Sequence, residues 1–296
     1  RRFPVMVPLL TLGSHNFIWG QRTYVMGILN ATPDSFSGDG LLADPKSADG
    51  LALARHFIEL GVDILDIGGE STRPGSQPVT AGKELERVLP LIRLVHAEFP
   101  DALLSIDTCK AAVAEAALSS GASIVNDVWG LRLDPDLAGV AASHNAPVIL
   151  MHNRSKPASV EVRSRLGSAY LAAEYQDLLP DVQRELMESV SIARSAGIPD
   201  HHIILDPGLG FGKTVDQNLE LIRRLDEIRS LGFPVLLGPS RKSFIGFTLD
   251  LPPDQRLEGT AAAVAVGITR GADILRVHDV EAMLRVARMT DAIVRV

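Results

Sequence analysis

Cysteine is almost missing from this sequence: Cys109 is the only one among 296 residues. A lone thiol excludes an internal disulfide framework and any metal site built on several cysteines. It makes a reducing, cytoplasmic setting the expected one. Aromatic residues are also scarce, at 5% of the chain, although hydrophobic residues as a whole reach 46%. The apolar mass therefore comes mainly from Ala, Leu, Val and Ile, which suits buried parallel strands covered by helices. No uninterrupted apolar run reaches the length that crosses a bilayer, so no membrane partner is expected. An excess of positive charge is missing too. The formal net charge is -7, which favours solubility and gives no reason to expect nucleic acid. The eight histidines include no H-x-x-H or H-E-x-x-H pair, and nothing points to zinc.

What the chain does have is rhythm. Short apolar runs recur as YVMGILN (24–30), ILDIGGE (64–70), LLSIDT (103–108), SIVNDV (123–128), PVILMH (147–152), HIILDPG (202–208), PVLLGPS (234–240) and DILRVHD (273–279). Between them lie stretches rich in Ala, Leu, Glu and Arg, for example 50–60, 84–98, 110–120, 218–230 and 260–270. Eight strands alternating with helices predict an α/β fold, a closed parallel (β/α)8 TIM barrel. An open doubly wound sheet would more often use about five to seven strands and gather its site in one crevice. Residues 1–22 precede the first core strand and read as an N-terminal extension, a small hairpin closing the barrel's bottom. Residues 153–200 read as a long excursion, a basic loop and then a helix to about Ser195. No linker or composition break divides the chain, so residues 1–296 are read as a single domain.

In such a barrel the site lies at the C-terminal ends of the strands. Three sets of residues stand there. Asp107, Asn126, Asp206 and Lys242 form the first. Two carboxylates, an amide and an ammonium suit a flat heterocycle bearing N–H donors and ring acceptors. Any one of them is equally at home as a turn or cap residue. Arg73, Arg276, His278 and Asn30 form the second. Two guanidiniums and an imidazole suit a polyanion, and the Asn30 oxygen suits a Mg²⁺ ion already bound by phosphate. His278 alone reads as readily as a structural histidine. The third is DPGLGFGK (206–213), whose glycines do not match a phosphate loop. It reads as backbone approaching a planar ligand, with Phe211 projecting over it. Met151 reads as pocket floor or plain core, and Cys109 as structural. Loops 32–40 and 69–75, the second containing Thr72, look like movable covers.

At these positions the sequence resembles dihydropteroate synthases. GILNATPDSFS (27–37) and DIGGESTRPG (66–75) are similar to that family's first two signatures, and SIDT (105–108), Asn126-Asp127, DPG (206–208), SRKS (240–243) and RVH (276–278) follow in order. The resemblance spans about residues 24–294. It implies a transferase that condenses 6-hydroxymethyl-7,8-dihydropterin diphosphate with para-aminobenzoate, releasing diphosphate. It implies that Asp107, Asn126, Asp206 and Lys242 bind the pterin, with Met151 in the pocket. Asn30, Arg73, Arg276 and His278 would serve the diphosphate and Mg²⁺, with Thr72 nearby. Phe211, Lys242, Ser240 and Pro74 would line the aminobenzoate pocket, and Asp34 would act in the closed first loop. A homodimer is implied as well. The sequence departs from the family at FSGDG (36–40), where FSDGG is frequent, at Leu209, where Phe is frequent, and after His152. Two rivals share the barrel: a folate–corrinoid methyltransferase, which has less use for the two arginines and His278, and a non-catalytic pterin binder, which would not need them.

Overall fold

The computed structural model describes residues 7–31 and 45–295, so the first loop with Asp34 lies outside the described residues. Eight strands form the centre: β1 Tyr24–Asn30, β2 Ile64–Gly68, β3 Leu104–Asp107, β4 Ile124–Asp127, β5 Val148–Met151, β6 Ile203–Asp206, β7 Leu236–Leu237 and β8 Ile274–Val277. They are hydrogen-bonded in the order β6-β5-β4-β3-β2-β1-β8-β7, all parallel. A single bridge, Leu205 to Val235, closes β6 against β7, and Leu205 N donates to Pro234 O over 2.9 Å. The sheet is therefore a barrel.

Side chains alternate along each strand. The outward set, with Val25, Leu29, Leu65, Ile67, Leu104, Ile106, Val125, Val148, Leu150, Ile203, Leu205, Leu275 and Val277, joins the larger hydrophobic core. The surrounding helices are α1 Pro45–Leu60, α2 Ala81–Glu98, α3 Ala111–Leu118, α4 Leu137–Ser143, α5 Leu178–Ser195, α6 Val215–Arg223, α7 Leu225–Arg229, α8 Ser243–Leu249, α9 Leu257–Thr269 and α10 Val280–Val294. The stretch expected as one helix over 218–230 is broken at Arg224 into α6 and α7. Thr214 caps α6 with a reciprocal Thr214–Gln217 box, which fixes where the turn after β6 ends.

The inward set is apolar at the bottom. Met26, Ile64, Leu103, Ile124, Ile149, Ile204, Leu236 and Ile274 form a second core with Leu10, Phe17 and Tyr24. Leu10 and Phe17 belong to an antiparallel hairpin, Leu10–Leu12 with His15–Phe17. The hairpin of residues 10–17 is thus a plug on the barrel floor, as its sequence suggests.

The excursion after β5 differs from the expected loop and helix. Helix α5 is present, but an antiparallel hairpin, Val160–Arg163 with Gly167–Tyr170, precedes it. Its strands are half-exposed, and Val162 points to solvent with 74% exposure. The hairpin's first strand alternates as VEVR, but strands of four residues are too short to stand out in the sequence. It is anchored by Arg256, whose Nη2 donates to Leu166 O over 2.7 Å and whose Nη1 donates to Arg241 O over 3.0 Å.

Candidate active site

One turn above the apolar floor, the inward positions become polar. The strand register carries Asn30, Gly68, Asp107 and Asn126 along one row of neighbours across β1 to β4. Asp206 stands beside Met151 on β6 and β5. Asp107, Asn126, Asp206 and Ser240 are all buried, and Met151 is 4% exposed. Asn30, Thr72 and Pro74 are half-buried, and Arg73 is exposed.

Arg276 on β8 joins what the sequence divided. Its Nε donates to Asp66 Oδ2 over 2.6 Å, and its Nη2 donates to Asp107 Oδ2 over 2.7 Å. The anion-site arginine of the sequence reading is thus held by the acids of the heterocycle pocket. Burial disfavours the Arg276 charge, but Asp66 and Asp107 outweigh it and raise its pKa. Burial raises the Asp107 carboxyl, opposed by Arg276 and reinforced by Asp66. Asp206 is raised by burial too, against a hydrogen bond from Gly208 N.

Asp66 was not among the residues singled out for the site. It is fully buried, accepts from Arg276, and accepts from Asn126 Nδ2 over 3.1 Å. Its other oxygen, Oδ1, and the nearby strand residue Ser105 Oγ have no partner. The signal was there: a carboxylate in the middle of an apolar strand, at the same inward parity as Ile64 and Gly68. Asp127, by contrast, points outward and accepts from Trp129 N and Leu131 N, so it is a turn residue. Burial pushes it up to about 6.

Lys242 follows a turn in which Arg241 adopts φ +56°. Burial and the Arg276 charge lower the Lys242 ammonium to about 8. Its Nζ sits 4.2 Å from the centre of the Phe211 ring, within cation–π range. Phe211 also meets Tyr170, with ring centres 5.8 Å apart. Ser240 turns toward His278. The His278 backbone N donates to Ser240 Oγ over 3.1 Å, so the hydroxyl proton is free for His278 Nδ1 at 2.9 Å. Burial and the charges of Arg276, Arg241 and Arg73 depress His278 to about 3. His278 is therefore neutral, with its Nε2–H available as a donor.

The 69–75 loop after β2 is clasped by the unforeseen hairpin. Tyr170 Oη donates to Thr72 O over 3.0 Å, and Ser168 Oγ donates to Pro74 O over 3.1 Å. At the loop's base Lys110 pairs with Glu70 and with buried Glu84, and Arg87 donates to Gly69 O. Burial and the nearby Asp127 push the Cys109 thiol up to about 12, consistent with an inert cysteine.

Among the described residues no group of three or more His, Cys, Asp or Glu is arranged to hold a metal ion. The neutral oxygen of Asn30 fits a Mg²⁺ ion that takes most of its ligands from phosphate and water rather than from a protein cage. No helix among the described residues is long and apolar enough to cross a membrane.

The family profile described as pterin binding enzyme matches residues 26–278. A dihydropteroate synthase of Clostridium beijerinckii is 47% identical over 97% of this chain and 100% of its own length. Among solved structures, a Clostridium difficile dihydropteroate synthase crystallised in the presence of pteroic acid is 45% identical. It has a TM-score of 0.86 and covers 95% of this chain and 100% of the other. A Xanthomonas albilineans dihydropteroate synthase with 4-aminobenzoic acid is 38% identical, with a TM-score of 0.86, over 97% and 98% of the two chains.

Proposed function

Because this chain belongs to the dihydropteroate synthase family of pterin-binding enzymes, which acts in folate biosynthesis, we propose that it condenses 6-hydroxymethyl-7,8-dihydropterin diphosphate with para-aminobenzoate. The products are 7,8-dihydropteroate and diphosphate. The observation that carries the reading is Arg276, half-buried and held between Asp66 and Asp107 where an acidic pocket meets a basic rim. A site of that kind can hold a ring that becomes cationic next to a group that leaves as an anion.

Asp107, Asn126, Asp206 and Lys242 bind the pterin edge, above Met151. Arg73, Arg276 and the Nε2–H of neutral His278 receive the diphosphate, with Thr72 beside them. The C–O bond to diphosphate breaks, and both bonding electrons leave with the oxygen. Positive charge then spreads from the methylene into the pterin ring, where Asp107 and Asp206 face it. Phe211, Pro74, Ser240 and Lys242 seat the arylamine, whose nitrogen attacks the methylene carbon and then loses a proton. An arylamine is weakly basic, so this step needs no strong base from the protein. Asp34 and the first loop are assigned to excluding water, which would otherwise capture the cation. Mg²⁺ is the expected cofactor: Asn30 would hold it with phosphate oxygens, where it withdraws charge from the leaving group.

The protein is further proposed to act as one domain, in the cytoplasm, as a homodimer. Support for the dimer comes from Met289 and Ile293, one turn apart on α10, and Val266 on α9, which expose 63%, 64% and 45% of their surface.

The test is an assay with the pterin diphosphate, Mg²⁺ and labelled para-aminobenzoate. Labelled dihydropteroate is the expected product, and none from folded protein would sink the proposal. The dissociative step is tested separately. With the bridging oxygen of the pterin diphosphate labelled and the arylamine replaced by an unreactive analogue, label should scramble into non-bridging positions. Retention of the label would favour direct displacement.

A further inference from the structure

The chemistry above leaves one buried ammonium without a task. Lys213 ends the glycine-rich turn after β6 and is 4% exposed. Its Nζ lies 2.9 Å from Gly208 O, 3.1 Å from Phe211 O and 3.0 Å from His152 Nδ1. Behind it, His152 Nε2 lies 3.0 Å from Glu185 Oε2, and Glu185 also accepts from Arg154 Nε over 2.9 Å. A carboxylate on that arginine can only accept, so Nε2 carries a proton. One further proton lies between Nδ1 and Nζ. Lys213 and His152 therefore share a single positive charge, opposed by the negative charges of Asp206 and Glu185.

A charge so deeply buried is costly unless each of its donors is used. Here all of them are, and two are spent on carbonyls three residues apart in one turn. The turn is wrapped around the ammonium. Gly208 and Gly212 permit the wrap, with φ +71° at both. A Cβ at Gly208 would lie 1.9 Å from His152 O, and one at Gly212 would lie 2.8 Å from Arg154 C. On the outer side Asn218 Oδ1 accepts from Gly210 N over 2.7 Å. The side chain this arrangement presents is Phe211, between Lys242 and Tyr170.

We propose that Lys213 is a positioning residue: with His152 and Glu185 behind it, its ammonium cinches the 208–213 turn and fixes the Phe211 ring as a wall of the arylamine seat. The inference rests on the proposed function, which sets the arylamine against Phe211.

Lys213→Met is compared with wild type in three measurements. The KM for para-aminobenzoate should rise about tenfold, as for loss of a charge-assisted bond. The Kd of a diphosphate-free pterin, measured by calorimetry, should stay within about twofold. In a cycle with Phe211→Leu the two changes should be strongly non-additive in arylamine KM, because one acts through the other. Equal losses for pterin and arylamine, or additive effects, would overturn the proposal. If Lys213→Met does not accumulate as folded protein, His152→Leu should raise the arylamine KM about threefold or more, while His152→Asn, which keeps an acceptor, should not. No rise in His152→Leu would then overturn it. Amide exchange over 208–213 should be about tenfold faster in Lys213→Met whatever the enzyme's substrate, and unchanged exchange would refute the cinch. A wild-type protein that makes no dihydropteroate would instead refute the proposed function.

Discussion

The floor and the mouth of this barrel are lined by the same eight strands on the same alternation, but with opposite materials. At the floor, inward positions are Met26, Ile64, Leu103, Ile124, Ile149, Ile204, Leu236 and Ile274, sealed by Leu10 and Phe17 of the N-terminal hairpin. One inward step higher on the same strands stand Asp66, Asn126, Met151, Asp206 and Arg276, with Asp107 above Ser105. The floor removes apolar area from water and needs no partner to do so. The mouth buries charges that are tolerable only in company, and burial raises the carboxyls of Asp107 and Asp206 above their ordinary values. Inside the barrel, apolar packing is confined to the floor and the chemically able groups to the mouth.

That division can be broken most severely at Arg276. Arg276→Met should lower kcat/KM by roughly 10³-fold, about 4 kcal/mol of transition-state stabilisation. It should also destabilise the fold, because Asp66 and Asp107 lose their counter-charge. A near-wild-type rate would end the role assigned to this guanidinium. The converse change is Ile149→Ala on the floor. Chemical denaturation should show a loss of about 3 kcal/mol, with kcat/KM at permissive temperature within about twofold of wild type. A large kinetic defect there would show that the two halves are not separable.

The smallest effect sharpens the comparison by titration. His278 is held near 3 when folded, while an unfolded histidine titrates near 6.5. Between those values the unfolded chain binds a proton that the folded chain does not. Stability contributed by neutral His278 is therefore present above about 6.5 and lost as pH falls toward 3, on the order of 2 kcal/mol by about pH 5. Urea midpoints measured from pH 7 to 4 should fall less steeply in His278→Asn than in wild type. Ile149→Ala, which alters no titrating group, should run parallel to wild type. Parallel curves for all three would remove His278 from the acid-sensitive set.

The sequence makes the barrel legible because parallel strands buried on both faces appear as short apolar runs, and helices intervene at every step. Strand-end polarity likewise marks the mouth, since Asp107, Asn126, Asp206, Lys242, Arg276 and His278 interrupt runs that are otherwise apolar. What the sequence hides is partnership. Arg276 and Asp66 are 210 residues apart, and nothing local says that the arginine belongs with acids as much as with an anion. Lys213 is visible only as the end of a turn that fails to be a phosphate loop, because its acceptors are mostly backbone carbonyls. The 160–170 hairpin is faint for another reason: its strands are four residues each and only partly buried, too short for the VEVR alternation to stand out. Ser168 and Tyr170 matter through the carbonyls of Pro74 and Thr72, contacts that any side chains at 72 and 74 would leave available.

The closure of the barrel has a mechanical consequence. Seven of the eight strand junctions are ladders, whereas β6 and β7 meet at the single Leu205–Val235 bridge. Asp206 stands on one lip of that gap, and Ser240 with Lys242 follows the other. A rigid planar molecule grasped by both lips would act as a stave nailed across an open joint of the cask. Its grip would tighten the hoop as well as fill the hollow, so occupancy of the mouth should be felt as resistance to prising the wall apart.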